Sequence, residues 1–588
     1  MKKTRIFLGY LCLGLVLLAA IWGASRLHRH PLQGMDDANI FYSYAENLAA
    51  GKGIVYGHNS ERVEGFTSLL WMLICASQFR LGLNEAGVLA VSIVLFLVMQ
   101  GLYIAGLRRL TGGGRYGTIG YLLLYVLILL SNPGHVTWLT VSQMDIGLWS
   151  LLVAGMLGIV LYPPVALRGL ALAAVPFLLA PLARPESLVA GPAFIALAAL
   201  SLWARTKDWK PPMRLLGVLS AGYVISLAGL TVFRMVYFGY PLPNTYYAKV
   251  SPSTFYNLME GGRYFLKFIL SGPVPALLVA VVLLVAASWA WVTIRKALAG
   301  RSWLLLIEGF SSRLALCALS AALLLVIPVL IGGDHFYLFR FYQPALPIMA
   351  MTLVLACRQW RILSTAASSA WRRPRIAAWL LVAFAAFGWL SVHLHFLEQI
   401  RATRLSWFGG RESPLQPEFD LAVRGMARGS MLKTLFEPAG RYPSLGVIAA
   451  GGIARTYPGQ IIDTMGLNNV FIGHFKGERK GKKNHAAFEI KAFHQLAPEV
   501  LAARPPIYPE TDNNNNQLFK GLFFDPGFVA AWRFGMVYME PDSGAFFEGF
   551  FATAFLEELL RNPAYRFLET ARWTGKYWER PAGSPPPR

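Results

Sequence analysis

The amino-acid sequence predicts a polytopic α-helical membrane protein with a soluble mixed α/β domain at its C-terminal end. Three observations carry that expectation. The 588 residues are 55% hydrophobic and only 14% charged, with a mean hydropathy of +0.46, too apolar for a soluble chain of this size. Apolar runs of membrane-spanning length recur through the first two thirds. The last third abandons that pattern, with 23 Lys or Arg and 19 Asp or Glu after residue 395.

Lys2, Lys3 and Arg5 precede an apolar run over 6–24, the layout of a signal peptide, which we read as an uncleaved first span. Further apolar segments lie at 86–107, 117–131, 146–161, 167–182, 187–203, 214–236, 273–293, 313–331, 343–357 and 376–394, giving about eleven spans. The stretch 67–79, at thirteen residues, is expected to be interfacial or part of a bent second helix. Cys12, Cys75, Cys317 and Cys357 all sit in apolar stretches without metal-ligand spacing, so neither a disulfide framework nor a thiolate metal site is expected.

The charge distribution orients the spans. With Met1 in the cytoplasm, 20 of the 31 Lys and Arg before residue 395 fall inside, at 108–115, 168, 205–214, 295–313, 358–375 and the N-terminus. Of the twelve acidic residues in that stretch, only Asp208 and Glu308 do. The net charge of +23 is thus assigned to cytoplasmic loops facing a bilayer, and nucleic acid is not an expected partner. The expected organisation is a transmembrane domain over 1–394, an extracytoplasmic domain over 395–580 and a disordered tail over 581–588. Short apolar runs at 446–450 and 460–462, separated by Gly and Pro, predict strands in the outer domain, and 513–516 a loop tip.

Functional side chains gather on the outer side. The first outer loop, 26–66, contains Asp36-Asp37, then Tyr42-Ser43-Tyr44-Ala45-Glu46-Asn47-Leu48, Gly51-Lys52-Gly53 and Arg62-Val63-Glu64-Gly65. Adjacent carboxylates beside a membrane can act as a general base, coordinate a divalent cation, or cap a helix. Arg62 with Glu64, and Arg184 with Glu186, have the spacing of ion pairs that hold loops. Tyr42, Tyr44, Tyr246 and Tyr247 can stack on sugar faces or form an interfacial aromatic belt. The basic run from His474 to His485 can be a solvated loop, a lipid-headgroup contact or an anion site.

These loop motifs, with Arg184-Pro185-Glu186, Tyr237-Phe238-Gly239-Tyr240-Pro241-Leu242-Pro243-Asn244-Thr245-Tyr246-Tyr247-Ala248-Lys249, Gly332-Gly333-Asp334-His335, Arg340-Phe341, Pro344 and Ile462-Asp463-Thr464-Met465-Gly466-Leu467-Asn468, come in an order that resembles GT-C glycosyltransferases similar to the mycobacterial terminal arabinofuranosyltransferase. The resemblance covers about 30–490; Ser142-Gln143-Met144-Asp145 departs from it where relatives read Ser-Gly-Leu-Glu, and the chain after Asn516 has no counterpart.

The resemblance implies a GT-C fold and transfer of a sugar, arabinofuranose first, from a polyprenyl-phosphate donor to an extracytoplasmic glycan or a protein such as pilin, at the bacterial inner membrane. A divalent cation is a possible addition. It implies Asp36, then Asp37, as catalytic carboxylates and Lys249 and Arg340 as contacts for the donor phosphate, to which the basic run adds His485 as a further candidate contact. Tyr42, Tyr44, Arg62, Glu64, Asp145, Arg184, Glu186, Asn244, Tyr247, Asp334 and His335 are implied as substrate-binding or loop-supporting residues. The competing expectation is a flippase or transporter of the lipid-linked sugar. A transporter places ionisable groups near mid-membrane, whereas here the carboxylates gather at one face.

Overall fold

The computed structural model describes residues 2–57, 61–112, 115–300, 304–366, 413–477, 479, 485–508, 514–540 and 544–581. The apolar segment at 376–394 and the tail after 581 lie outside them. The described chain divides into two units, one formed by 1–31, 88–230 and 254–416, the other by 32–87, 231–253 and 417–588.

The first unit is helical. Among the described residues, five helices are long and apolar enough to cross a membrane: Asn84–Thr111, Ser187–Thr206, Lys210–Phe238, Pro273–Ala299 and Arg313–Leu330. Thr118–Leu130 and Gly134–Val141 make a sixth candidate if counted as one span broken by an 81° bend. Each of the five, and the first half of the bent pair, coincides with an apolar segment read from the sequence, while Gly134–Val141 falls between two of them; Tyr10–Arg26, Ile146–Leu161, Leu167–Ala183 and Leu346–Trp360 are shorter apolar helices, so a count of eleven does not follow. Within this unit Arg313–Leu330 packs against Thr254–Leu270, Pro273–Ala299 and the helix beginning at Leu346. The amphipathic helix Thr254–Leu270, which the hydropathy scan passes over, meets it through Gly261, where a Cβ would collide with the backbone of Val329. The long helices leave large aliphatic side chains such as Val94, Leu102, Val224 and Val292 exposed, as a lipid-facing surface requires.

The second unit is built on a seven-stranded sheet: β1 (Leu445–Val447), β2 (Ile461–Asp463), β3 (Val500–Leu501), β4 (Trp532–Met539), β5 (Phe546–Ala552), β6 (Tyr565–Trp573) and β7 (Trp578–Glu579). Its order is β2-β1-β3-β5-β4-β6-β7, with β2, β1 and β3 parallel and the remaining pairings antiparallel. The expected strands at 446–450 and 460–462 are β1, which begins one residue earlier and ends three earlier, and β2, shifted by one; Asn514–Leu518 forms a short helix rather than a loop tip. Phe519, Phe523, Phe528, Phe534, Phe550 and Trp578 fill one side of the sheet.

Two further segments, 32–87 and 231–253, complete this unit. Helix Asp36–Ala49 opens with two carboxylates in its first turn, favourable at the positive end of a helix dipole, and stops where Gly51 takes φ +78°. It packs on Leu69–Arg80, whose first turn is capped by the Ser68 hydroxyl accepting from the Trp71 amide at 3.2 Å, and on the short turn Gly451–Ala454 after β1. The stretch 67–79 is therefore a separate helix, not an extension of the next span.

Candidate active site

Asp36 is buried, and its carboxylate does not cap its own helix: Met35 occupies that position without a side-chain bond. Its oxygens instead accept from the Gly452 amide at 2.9 Å and the Gly451 amide at 3.1 Å, 416 and 415 residues away in sequence. The approach needs glycine at both positions. A Cβ on Gly451 would strike the Asp36 carbonyl, and one on Gly452 the Ala422 carbonyl. Burial pushes the Asp36 carboxyl up to about 6; the two amides pull the other way, and the charges of Asp37 and Asp463 add to the rise. Asp37, next on the helix, is half-buried.

Asp463 ends β2 and is fully buried. Its carboxylate accepts from the amides of Met465 and Asn468 at 2.9 and 2.8 Å and from the Asn468 side chain at 2.9 Å. Burial raises its pKa against those three donors and the opposing charge of Lys249. Lys249 reaches this neighbourhood because Asn244 ties its short helix down, its side-chain amide donating to the carbonyls of Gly466, Leu467 and Asn469 at 2.8, 3.0 and 3.1 Å. Tyr240 and Tyr247 flank the His474 ring, each with a centroid distance of 4.1 Å. His485 is half-buried nearby in sequence, while Lys480, Lys482 and Lys483 lie outside the described residues. Arg479 is no free cation in this loop: it donates to the carbonyls of Tyr247, Gly473, Phe475 and Ala487.

Other loop residues, Tyr42, Tyr44 and Glu64, are buried in contacts within this unit. Tyr42 and Tyr44 are fully buried and present no face to a sugar. The Tyr44 hydroxyl donates to the Val63 carbonyl at 2.9 Å and accepts from the Gly65 amide at 3.0 Å. The Arg62–Glu64 pairing expected from spacing is replaced. Glu64 receives a bidentate Arg234 at 2.7 and 2.9 Å, and Arg62 lies 4.7 Å over the Tyr237 ring. Arg234 and Tyr237 are three apart on one helix, so a single face engages both residues of the loop.

The remaining expected residues form a separate cluster in the helical unit. Arg184 forks onto Glu186 at 2.8–3.0 Å and reaches Asp145 at 2.5 Å, with all three buried. Arg340 pairs with Asp334 at 2.5 Å and lies 4.5 Å over Phe336; His335 is 3.4 Å from the same carboxylate. The departure at Gln143 is visible here, because Gln143 adopts φ +57°, a left-handed conformation that favours glycine, and its side chain donates to the Pro31 carbonyl at 2.9 Å. It follows a π-helical turn, Thr137–Val141, that closes the bent helix pair.

No known protein-family model matches the chain, and no curated protein matches it. Among solved structures it is similar to the archaeal oligosaccharyltransferase AglB from Archaeoglobus fulgidus, determined in complex with an inhibitory peptide and a dolichol-phosphate. That similarity has 11% sequence identity and a TM-score of 0.44, and covers 91% of this chain and 74% of the other.

Among the described residues, no three His, Cys, Asp or Glu side chains converge as metal ligands. Asp36 accepts two backbone N–H groups and Asp463 two backbone N–H groups and one side-chain amide, so each carboxylate is oriented by the chain's own donors. Sequence reasoning missed Arg234, Arg455 and the Gly451-Gly452 pair. The only sequence signal for the last two is a short apolar run ending in Ala450-Gly451-Gly452 and followed by a lone Arg, which no periodicity singles out.

Proposed function

We propose that the chain is a membrane glycosyltransferase of the GT-C type that moves a sugar from a polyprenyl-phosphate donor to an acceptor hydroxyl outside the cytoplasm. The observation that supports this most is convergence within one unit. The motif pieces at 36–65, 240–249 and 462–468, which resemble that enzyme family in sequence, pack together and bring Asp36, Asp37, Asp463 and Lys249 into one neighbourhood.

In the proposed reaction the acceptor hydroxyl oxygen attacks the anomeric carbon of the donor. The bond from that carbon to the phosphate oxygen breaks, its electron pair leaves with polyprenyl phosphate, and the hydroxyl proton passes to a carboxylate. Asp36 suits the proton acceptor, since a carboxyl near 6 is ionised at neutral pH yet basic enough to take a proton in the transition state. Asp37, less buried, is assigned to orient the acceptor. Lys249, with His485, is assigned to the leaving phosphate through charge-assisted hydrogen bonds. Arg340, committed to Asp334, is assigned to holding the helical unit together instead.

The finer reading takes arabinofuranose as the sugar and a cell-envelope glycan or a pilin-like protein as the acceptor, at the outer face of a bacterial inner membrane. Purified protein incubated with labelled polyprenyl-phosphate arabinofuranose and candidate acceptors should release polyprenyl phosphate as the acceptor becomes labelled. In vesicles, movement of the donor between leaflets without that release would establish a flippase instead, and neither outcome would discard both readings.

A further inference from the structure

Arg455 follows Gly451–Ala454 directly, and its guanidinium, only 9% exposed, joins three helices. Nη1 donates to Asn39 Oδ1 at 2.9 Å, Nε to Glu46 Oε1 at 3.1 Å, and Nη2 lies 2.5 Å from both Glu46 Oε1 and Glu85 Oε1. The same group sits 5.3 Å over the Tyr42 ring and 5.6 Å over that of Phe79. Asn39 is three residues after Asp36, and Arg455 is three after Gly452. Two bonds three residues apart therefore connect the same two elements: Gly452 to Asp36, and Arg455 to Asn39. A pair of anchors at matched spacing fixes register and rotation, which a single contact cannot do.

We propose that Arg455 is a positioning residue, a clamp between the turn 451–454 and helix Asp36–Ala49 that keeps the Gly451 and Gly452 amides on the Asp36 carboxylate. This rests on reading Asp36 as the reacting carboxylate. The planar guanidinium serves where an ammonium would not, because its fork addresses an amide oxygen and two carboxylates at once. The charges facing Asp36 are those of Asp37 on its own helix and Asp463 from β2, with Lys249 acting on Asp463 and Tyr56 lying within electrostatic reach of both carboxylates. Replacing Arg455 also removes a cation and uncovers Glu46 and Glu85, so Glu46→Gln, which takes away a negative charge, separates released amides, which raise the Asp36 pKa, from a change of charge alone, which would lower it.

The test uses the full-length purified protein. The Asp36 carboxyl is followed by infrared difference spectroscopy on protein with labelled aspartate, with Asp36→Asn as the blank. With Arg455→Met the amides are released and Asp36 should titrate nearer pH 7 than pH 6, and turnover at pH 6 should fall about fivefold more than turnover at pH 8. Arg455→Lys should recover only part of the shift. A folded Arg455→Met protein with the wild-type titration overturns the proposal. If that variant does not fold, Glu46→Gln removes one acceptor while leaving Asn39 and Glu85, and should move the titration in the same direction by less; no movement there also overturns it. A wild-type protein without transferase activity defeats the functional reading alone, since the infrared titration needs no turnover.

Discussion

Two buried clusters of charged residues in this chain use similar side chains in opposite ways. Around Asp36 and Asp463 the carboxylates are held by neutral donors, the amides of Gly451, Gly452, Met465 and Asn468 and the Asn468 side chain. Around Asp145, Glu186 and Asp334 they are held by the guanidinium groups of Arg184 and Arg340. Neutral donors orient a carboxylate without cancelling its charge, and burial raises the pKa of Asp36 and of Asp463 against them. A guanidinium at 2.5 Å neutralises the charge and makes the pair a brace whose loss of either member strands the other in a dry interior. Buried carboxylates are common to both clusters; the partner decides whether the charge is only oriented or also neutralised.

The largest effect that would sharpen this contrast is on turnover. Asp36→Asn should lower it about 10²- to 10⁴-fold, as loss of a positioned general base does. In stability the same change should cost only about 1–2 kcal/mol, because one amide loses its acceptor. The pH dependence has a defined direction. The folded carboxyl, near 6, holds its proton more tightly than the unfolded chain does, so its contribution to stability is complete below about pH 4 and lost as pH rises through about 6. Activity needs the ionised form and should fall as pH drops through about 6. Full turnover in Asp36→Asn with an inactive Asp37→Asn would exchange the two roles.

Arg184→Met should behave in the opposite way. It leaves Asp145 and Glu186 buried together without their cation and should cost about 3–5 kcal/mol of stability, measured by thermal unfolding in detergent. A loss no greater than that of Asp36→Asn would erase the distinction between the clusters. Next in size, Lys249→Ala should weaken binding of polyprenyl phosphate by about 1.5–3 kcal/mol with normal folding. Arg340→Ala should lower the melting temperature while leaving the affinity of whatever protein remains folded unchanged; the reverse pattern would put the phosphate beside Arg340. The smallest effect concerns Gln143. Gln143→Gly relieves a left-handed backbone but gives up the bond to Pro31 and adds unfolded-state entropy, so stability should change by less than about 1 kcal/mol. Gln143→Val, β-branched and without the amide, should be clearly less stable in the same melting assay.

The sequence by itself determined the class of the molecule. Span after span could be read because twenty consecutive apolar residues have one stable solution in a bilayer, and that solution is local: each helix satisfies its own backbone. It also determined that Asp36, Asp37, Lys249 and the 462–468 segment were worth attention, because their motifs are contiguous. The sheet was legible only as short runs at β1 and β2, and the amphipathic helix Thr254–Leu270 escaped a search tuned to hydropathy. What tertiary structure alone decided was partnership. That Asp36 would meet Gly451 and Gly452 some 415 residues on, that Glu64 would choose Arg234 over Arg62, and that Arg455 would clamp Asn39 are outcomes of packing. Such pairings follow from which backbones approach closely enough to bury a charge, and nothing in a residue's immediate neighbours specifies that. Spacing identified the charged residues, while the three-dimensional fold selected which would be paired with a guanidinium and which would be held by neutral donors.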